Sequence, residues 1–316
     1  MTILTVTLHP ALDKVLVTSK LAPNGINRTR VAMLYGGGKG NNVARALVRL
    51  GIRAIATGFQ GGYIGEYATE KLVEEGIETA FVMCKQPTRT STLVQEEETG
   101  NTYALYEPGQ TNDEQEIEDL LAKFQSLLKE VSLCLLCGSG QTPLLAPVYS
   151  RMITLARQAG VRCLIDSSGE ALAQAIDAKP TMVKINELEL SEYLKRPLNN
   201  YESQIQAILE LQAKGIQFVA LSRGKEGMLA TDGKEIWDAQ LSMEHVINVV
   251  GCGDSLLAGV ARGLLQNEPL MELVRWGVTC GTANTQVRGA GYIDLELVKS
   301  LLPRVRLQKV QPMSIG

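Results

Sequence analysis

The chain has 316 residues, 45% hydrophobic and 21% charged, a balance that excludes disordered and fibrous classes and leaves room for one large domain with a satellite. Lys and Arg number 31 and Asp and Glu 34, so the formal charge of -3 provides no basic field for nucleic acid. Only two histidines occur, which excludes multi-histidine metal sites, and no apolar run is long enough to span a membrane.

In chain order, β-type runs alternate with helical patterns, as in an α/β fold with a doubly wound, mainly parallel sheet flanked by helices. A strand at 3–8 leads to a helix at 42–51, a strand at 53–58 and a helix at 62–76, with Gly51 and Gly76 as helix stops. Further strands are predicted at 132–137, 161–166, 182–185 and 218–222, separated by helical stretches at 113–130, 143–159 and 187–214. A β-like run at 245–250 precedes a helix at 255–266. Two segments, 14–34 and 90–106, alternate polar and apolar residues without intervening helices and predict a small inserted β-sheet lid. One face of such a sheet must meet a ligand, the main domain or a second subunit, so a homodimer formed through the lid is one expectation. The resulting division is a core of 1–10, 36–87 and 108–310, a lid of 11–35 and 88–107, and a loose tail at 311–316.

The six cysteines lack the dense spacing of a disulfide framework and read as reduced thiols. Cys134 and Cys137 have CxxC spacing, but residues three apart on a strand face opposite ways, so core packing is expected instead of zinc. A soluble cytoplasmic protein with no nucleic-acid or membrane partner follows from these features.

Chemistry concentrates in glycine turns. Gly251-Cys252-Gly253-Asp254 precedes a helix whose first amides lack intrahelical partners and whose dipole end is positive, a cradle for a phosphate undergoing transfer. Asp254 beside that cradle has the chemistry of a base for an attacking hydroxyl, or of a simple helix cap. The cluster Gly36-Gly37-Gly38-Lys39-Gly40-Asn41-Asn42 is neither a Walker A loop nor a GxGxxG fingerprint; the Asn42 amide suits a polyol, and Asp13 offers another acceptor for sugar hydroxyls. Asn186 and Glu189 stand one helical turn apart, suited to hold magnesium through water or to cap the helix. Ser222, Gly224 and Gly227 mark a strand end opening into a hairpin-like loop, and Arg28 and Arg89 in the lid carry guanidiniums that can clamp a phosphate.

Taken in order, TLHPALD (7–13), GGKGNNVARAL (37–47), TRTS (88–91), DSSGEAL (166–172), KINELEL (184–190), SRGKEG (222–227) and NVVGCGDSLLAG (248–259) resemble the ribokinase-like phosphofructokinase-B family of sugar kinases. The resemblance covers nearly the whole chain and is to the branch of 1-phosphofructokinases and tagatose-6-phosphate kinases. It implies transfer of the γ-phosphate of ATP, with Mg2+, to a hydroxyl of a ketohexose phosphate. By the same resemblance Asp254 is the general base and Gly251, Cys252 and Gly253 contribute its anion hole. Asp13, Gly38, Lys39 and Asn42 then hold the sugar, Arg89 and Ser139 its phosphate, Asn186 and Glu189 the magnesium-nucleotide region, Ser222, Gly224 and Gly227 the nucleotide, and Gly281 and Asn284 the adenine.

The chain departs from that pattern at His9, where Asn is usual, at Asn41, where an aliphatic residue is usual, at Cys252, where Ala is usual, and at Gln141, in Gly138-Ser139-Gly140-Gln141. These changes bear on which sugar is accepted; at Cys252 simple replacement of another small residue is the favoured reading, the alternative being a thiol whose pKa the helix N-terminus lowers, sensitive to oxidation. Three alternatives stay open: a kinase of a nonphosphorylated sugar or nucleoside, a non-catalytic sugar-phosphate-binding protein, and a nicotinamide dehydrogenase, the last lacking its glycine fingerprint.

Overall fold

Residues Thr2–Thr7 are buried along their whole length, as a strand covered on both faces must be. They form β1 of a computed structural model that describes residues 1–140 and 142–311. Gln141 and residues 312–316 of the expected tail lie outside the described residues.

From β1 the chain leaves the core to form β2 (Ala11–Thr18) and β3 (Arg30–Gly37), then returns through α1 (Lys39–Arg49) to β4 (Arg53–Gln60). Next come α2 (Gly62–Glu74) and the short strands β5 (Glu78–Thr79) and β6 (Val82–Met83), before a second excursion forms β7 (Arg89–Glu96) and β8 (Thr102–Tyr106). The core resumes with α3 (Glu114–Leu127), β9 (Leu133–Cys137), α4 (Val148–Gln158), β10 (Arg162–Asp166), α5 (Gly169–Asp177) and β11 (Met182–Asn186). It continues through α6 (Glu187–Leu194), α7 (Tyr201–Ala213), β12 (Phe218–Ser222), β13 (Met228–Thr231) and β14 (Ile236–Gln240). The final elements are α8 (Cys252–Leu265), α9 (Leu270–Asn284), α10 (Leu295–Leu301) and β15 (Arg306–Val310).

The large sheet runs β15-β14-β13-β12-β11-β10-β9-β1-β4-β5, with β6 on β4, and is parallel from β12 to β5, which is the expected α/β architecture. One face buries Phe124, Tyr149, Met152 and Leu211 beneath α3, α4 and α7; the other buries Leu47, Leu257 and Val274 beneath α1, α8 and α9. Cys134 belongs to the first core and Cys137 to the second, so the two side chains pack on opposite faces of the sheet. Because β1 has β4 on one side and β9 on the other, the winding reverses there, and the crevice outside the carboxyl ends of β1 and β9 is the place for a ligand.

The small sheet has the order β3-β2-β7-β8, and its register aligns Tyr35, Asp13, Ser91 and Tyr106 in one row across all four strands. Val15, Tyr35 and Leu93 on that face pack with Val250 and Tyr292, which fixes the sheet beside the chain segment leading into α8.

Several expectations are corrected. The stretch 187–214 is two helices, because Lys195 turns into the left-handed region at φ 53° before Pro197 and Asn200 caps a new helix. Pro143 and Pro147 delay α4 to Val148, and β5, β6, α5, β13, β14, α10 and β15 lie outside the expected elements. The run 245–250 is no strand: β15 already covers the edge of β14, and Ile247 and Asn248 instead donate their amides to the Thr285 carbonyl. Helix α8 begins at Cys252, three residues before the expected start, and α1 at Lys39, so Lys39 and Asn42 share its first turn.

Candidate active site

The turn into α8 is shaped by Gly251. Its φ is +83°, and a Cβ there would lie 2.4 Å from that of Ala290, so glycine is required on both counts. The first amides of this 14-residue helix therefore open toward the crevice at the positive end of its dipole. Asn284, expected near adenine, is wholly buried behind the turn: its amide donates to the Val250 carbonyl, and its oxygen accepts from Ser255 Oγ and the Gly291 amide.

Asp254 is buried on α8, and its Oδ2 accepts from Asn42 Nδ2 at 2.8 Å. Asn42 cannot turn its amide the other way, because its Oδ1 accepts from Arg45 Nη1 at 3.1 Å. Arg45 is itself locked by Glu75, by the Gly36 and Ala290 carbonyls, and by the rings of Tyr35 and Tyr292. The chain Glu75–Arg45–Asn42–Asp254 thus fixes one carboxylate oxygen. Burial raises the Asp254 pKa, opposed mainly by the Lys39 ammonium. Asp13 is pushed up to about 7 by burial, against the pull of Arg45 and Arg89.

A second constellation stands at the ends of β10 and β11. Asp166 accepts from Lys39 Nζ at 2.9 Å and from Lys184 Nζ at 2.8 Å, and Lys39 lies 3.6 Å from Glu189 Oε1. Burial alone would raise the Asp166 pKa, but Lys184 and Lys39 hold it down at about 2. Burial likewise works against the Lys39 charge, and Asp166 and Glu189 overcome it, so Lys39 stays protonated. Lys184 Nζ sits 3.1 Å from where a Cβ on Gly253 would be, which places an ammonium against the glycine turn.

Two cavities meet at this point. One of about 390 Å³ lies at the carboxyl ends of β1 and β9 and is lined by Asp13, Gly38, Lys39, Asn42, Arg89, Ser139, Gly251 and Asp254, with His9, Ser91 and Tyr106. The other, about 690 Å³, has an apolar wall of Met243, Val246, Val249, Leu256 and Val278 and includes Ser222, Gly224, Gly227, Cys252 and Gly281. Lys184, Asn186 and Gly253 line both. A polar chamber and a more apolar one, joined at the Lys184 ammonium and the Gly253 backbone, have the chemistry to hold a polyol, an aromatic base and, between them, a phosphate.

Three expected residues do not line the cavities. Arg28 is on an exposed loop of the small sheet, where its carbonyl accepts from Thr18 Oγ1. Glu189 forms a reciprocal capping box with Asn186 and faces Lys39, so its carboxylate is engaged within the protein. Asn284 supports the turn, as described. Among the described residues no group of three or more His, Cys, Asp and Glu could hold a metal, and no helix is long and apolar enough to cross a membrane. Cys252 lines the larger cavity, yet its thiol is pushed up to about 11 by burial and by Asp254, contrary to the lowered value expected from the helix terminus. Asn41 is structural, its amide donating to the Gly37 carbonyl at 2.7 Å. Lys184 and Asp166 carry no role in the sequence reading; a lysine within the buried strand β11 and an aspartate closing β10 are the available signals.

The family model described as pfkB family carbohydrate kinase matches residues 11–296. The 1-phosphofructokinase of Bacillus subtilis (strain 168) is 33% identical over 308 residues, 98% of this chain and all of that protein. The structure of Escherichia coli phosphofructokinase-2 in complex with substrates and products superposes with a TM-score of 0.89 at 30% identity, covering 96% of this chain and 99% of the other. A structure from Thermotoga maritima described as a possible 1-phosphofructokinase gives 0.88 at 25% identity, covering 98% and 100%.

Proposed function

The chain belongs to the pfkB family of carbohydrate kinases, and from that premise we propose that it transfers the γ-phosphate of ATP to a hydroxyl of a ketohexose phosphate, a fructose or tagatose phosphate, using the neck between its two cavities. The observation that carries this reading is the charge at the neck. Lys39 is shared between Asp166 and Glu189, whereas Lys184 pairs, among the described residues, with Asp166 alone, and its ammonium lies against Gly253 where the two cavities join.

In the proposed reaction the sugar hydroxyl lies against Asp254, whose free oxygen accepts the proton while Asn42 holds the other. The hydroxyl oxygen forms its bond to the γ-phosphorus as the bond to the β–γ bridging oxygen breaks, and ADP departs. Raised by burial, Asp254 is a stronger base than a solvated aspartate. The amides of the Gly251 turn and Lys184 take up charge on the transferring group, Asp13 and Asn42 orient the sugar, and Arg89 and Ser139 take its phosphate. The wall of Val246, Val249 and Val278 suits the adenine. Magnesium would enter with the nucleotide phosphates and neutralise their charge; Asn186, which lines both cavities, could meet it through water, with Glu189 behind it in the capping box, and among the described residues no carboxylate cluster stands ready to cage the ion.

The small sheet acts as the lid in this reading, its Asp13–Ser91–Tyr106 row covering the sugar. Its opposite face exposes Val31, Tyr103 and Leu105, and we assign it to a second copy of the chain, consistent with the tetramer described for E. coli phosphofructokinase-2.

The test is ATP-dependent ADP release with magnesium across fructose 1-phosphate, fructose 6-phosphate, tagatose 6-phosphate, ribose and free fructose, with Asp254→Asn as control. Turnover of a ketohexose phosphate that the control abolishes is expected. Turnover confined to ribose or free fructose would overturn the substrate class.

A further inference from the structure

The position that most distinguishes this sugar cavity is His9. The side chain is 7% exposed, lines the cavity just beyond β1, and has no hydrogen-bond partner on either ring nitrogen. A buried imidazole with both nitrogens unused is costly unless something else satisfies it. The surrounding chain is built to admit the ring. A Cβ on Gly109 would lie 2.5 Å from His9 Nδ1, so the segment returning from β8 passes directly against the imidazole.

Burial, with the charge of the neighbouring Arg89 added, keeps His9 neutral, at about 4. Arg89 donates from Nη1 to the Glu107 carbonyl at 2.9 Å, its Nε is buried without a partner, and among the described residues it forms no ion pair with a carboxylate. The same small chamber thus holds an unpaired guanidinium donor and a neutral imidazole with one N–H to give. An oxyanion with several acceptor oxygens satisfies both, whereas a hydroxyl can partner the imidazole but returns no charge to the guanidinium.

We propose that His9 is a specificity-determining residue that donates a hydrogen bond to the phosphate of the sugar substrate, beside the charge of Arg89, so that the preference for phosphorylated over free ketohexoses is set in part by the imidazole. This rests on the sugar-phosphate kinase reading above. His9 takes no part in proton transfer; it fixes the phosphate end and hence the hydroxyl presented to Asp254.

The test compares His9→Leu, which keeps the bulk and removes the donor, with His9→Asn, which keeps an N–H. Losing a hydrogen bond to a charged group should raise KM for the sugar phosphate by about 10- to 100-fold in His9→Leu. Neither KM for ATP nor kcat/KM for free fructose should move more than about 3-fold, and His9→Asn should recover most of the loss. Equal losses for phosphorylated and free sugars would assign His9 to a hydroxyl and overturn the proposal, as would no change at all. A readout independent of turnover uses the two histidines of the chain. With 15N-labelled histidine and His245→Gln for assignment, inorganic phosphate should shift the His9 ring resonances while free fructose leaves them in place. Resonances indifferent to saturating phosphate would refute the role of His9 even if the enzyme is active. A phosphate-induced shift without sugar-phosphate turnover would support the anion contact while counting against the kinase reading.

Discussion

Replacing Lys184 by Met separates electrostatics from architecture at the neck. The side chain is 5% exposed and its ammonium binds Asp166 at 2.8 Å, while Lys39 holds the other Asp166 oxygen. Lys184→Met therefore keeps volume, leaves Asp166 paired once, and removes one of two positive charges. A phosphate seated on the Gly253 amide would lie roughly 5 Å from Lys184 Nζ, and at an effective dielectric near 20 a full unit charge there is worth about 3 kcal/mol. Only part of a charge moves during transfer, so kcat should fall about 10- to 100-fold. Leaving one Asp166 oxygen without a partner costs a further ~1 to 3 kcal/mol of stability, visible as a lowered melting temperature. Steady-state kinetics at saturating sugar phosphate and ATP, alongside a thermal melt, separate the two. A variant with kcat within about 2-fold of the parent would show that the charge at the neck is not used in transfer.

Three other outcomes follow from the same geometry. Gly251→Ala forces an L side chain to φ +83° and into Ala290, so a loss of about 2 to 4 kcal/mol is expected in denaturant unfolding; an unchanged midpoint would mean the turn is not strained against that neighbour. Asp13 carries its proton in the folded state up to about pH 7 but loses it near 4 when unfolded, so it makes stability fall as pH rises between those values. Asp13→Asn should remove that slope, gaining on the order of 2 kcal/mol at pH 7 relative to pH 5, and parallel stability curves for the two proteins would contradict it. With its thiol at about 11, Cys252 should react with iodoacetamide at pH 8 about 100-fold more slowly than an ordinary exposed thiol; rapid labelling detected by mass spectrometry would contradict the raised value.

Much of the site is local in the chain and was readable there. The glycine turn before Asp254 brings the amides and carboxylate of the proposed phosphate site into four consecutive residues, whereas Asp13, Asn42 and Arg89 stand out only when their motifs are taken together. What escaped depends on distance along the chain. The pairing of Asp166 with Lys39 spans 127 residues, and nothing near either one shows that they meet. Asn186 and Glu189 illustrate a different limit: a capping box and a magnesium-proximal pair have the same spacing, and the structure shows the box closed. Asn284 and Asn41 are amides in motif positions whose donors turn inward to hold backbone, which only packing reveals. In the fold, the parallel strands were legible from their apolar runs, whereas β15 was missed because its alternation of exposed and half-buried residues resembles a surface segment. The run 245–250 misled for the opposite reason: its apolar Val246 and Val249 face the larger cavity and not a sheet.

The most direct measurement follows phosphorus itself. Incubating the protein with magnesium, ATP and fructose 1-phosphate or fructose 6-phosphate, and recording 31P spectra, should show the γ-phosphate signal disappear as a second phosphomonoester of the same sugar grows in step with ADP, with Asp254→Asn silent. Growth of inorganic phosphate in place of a bisphosphate, or an equal product yield from Asp254→Asn, would contradict a neck that carries phosphate between two cavities to a hydroxyl activated by Asp254.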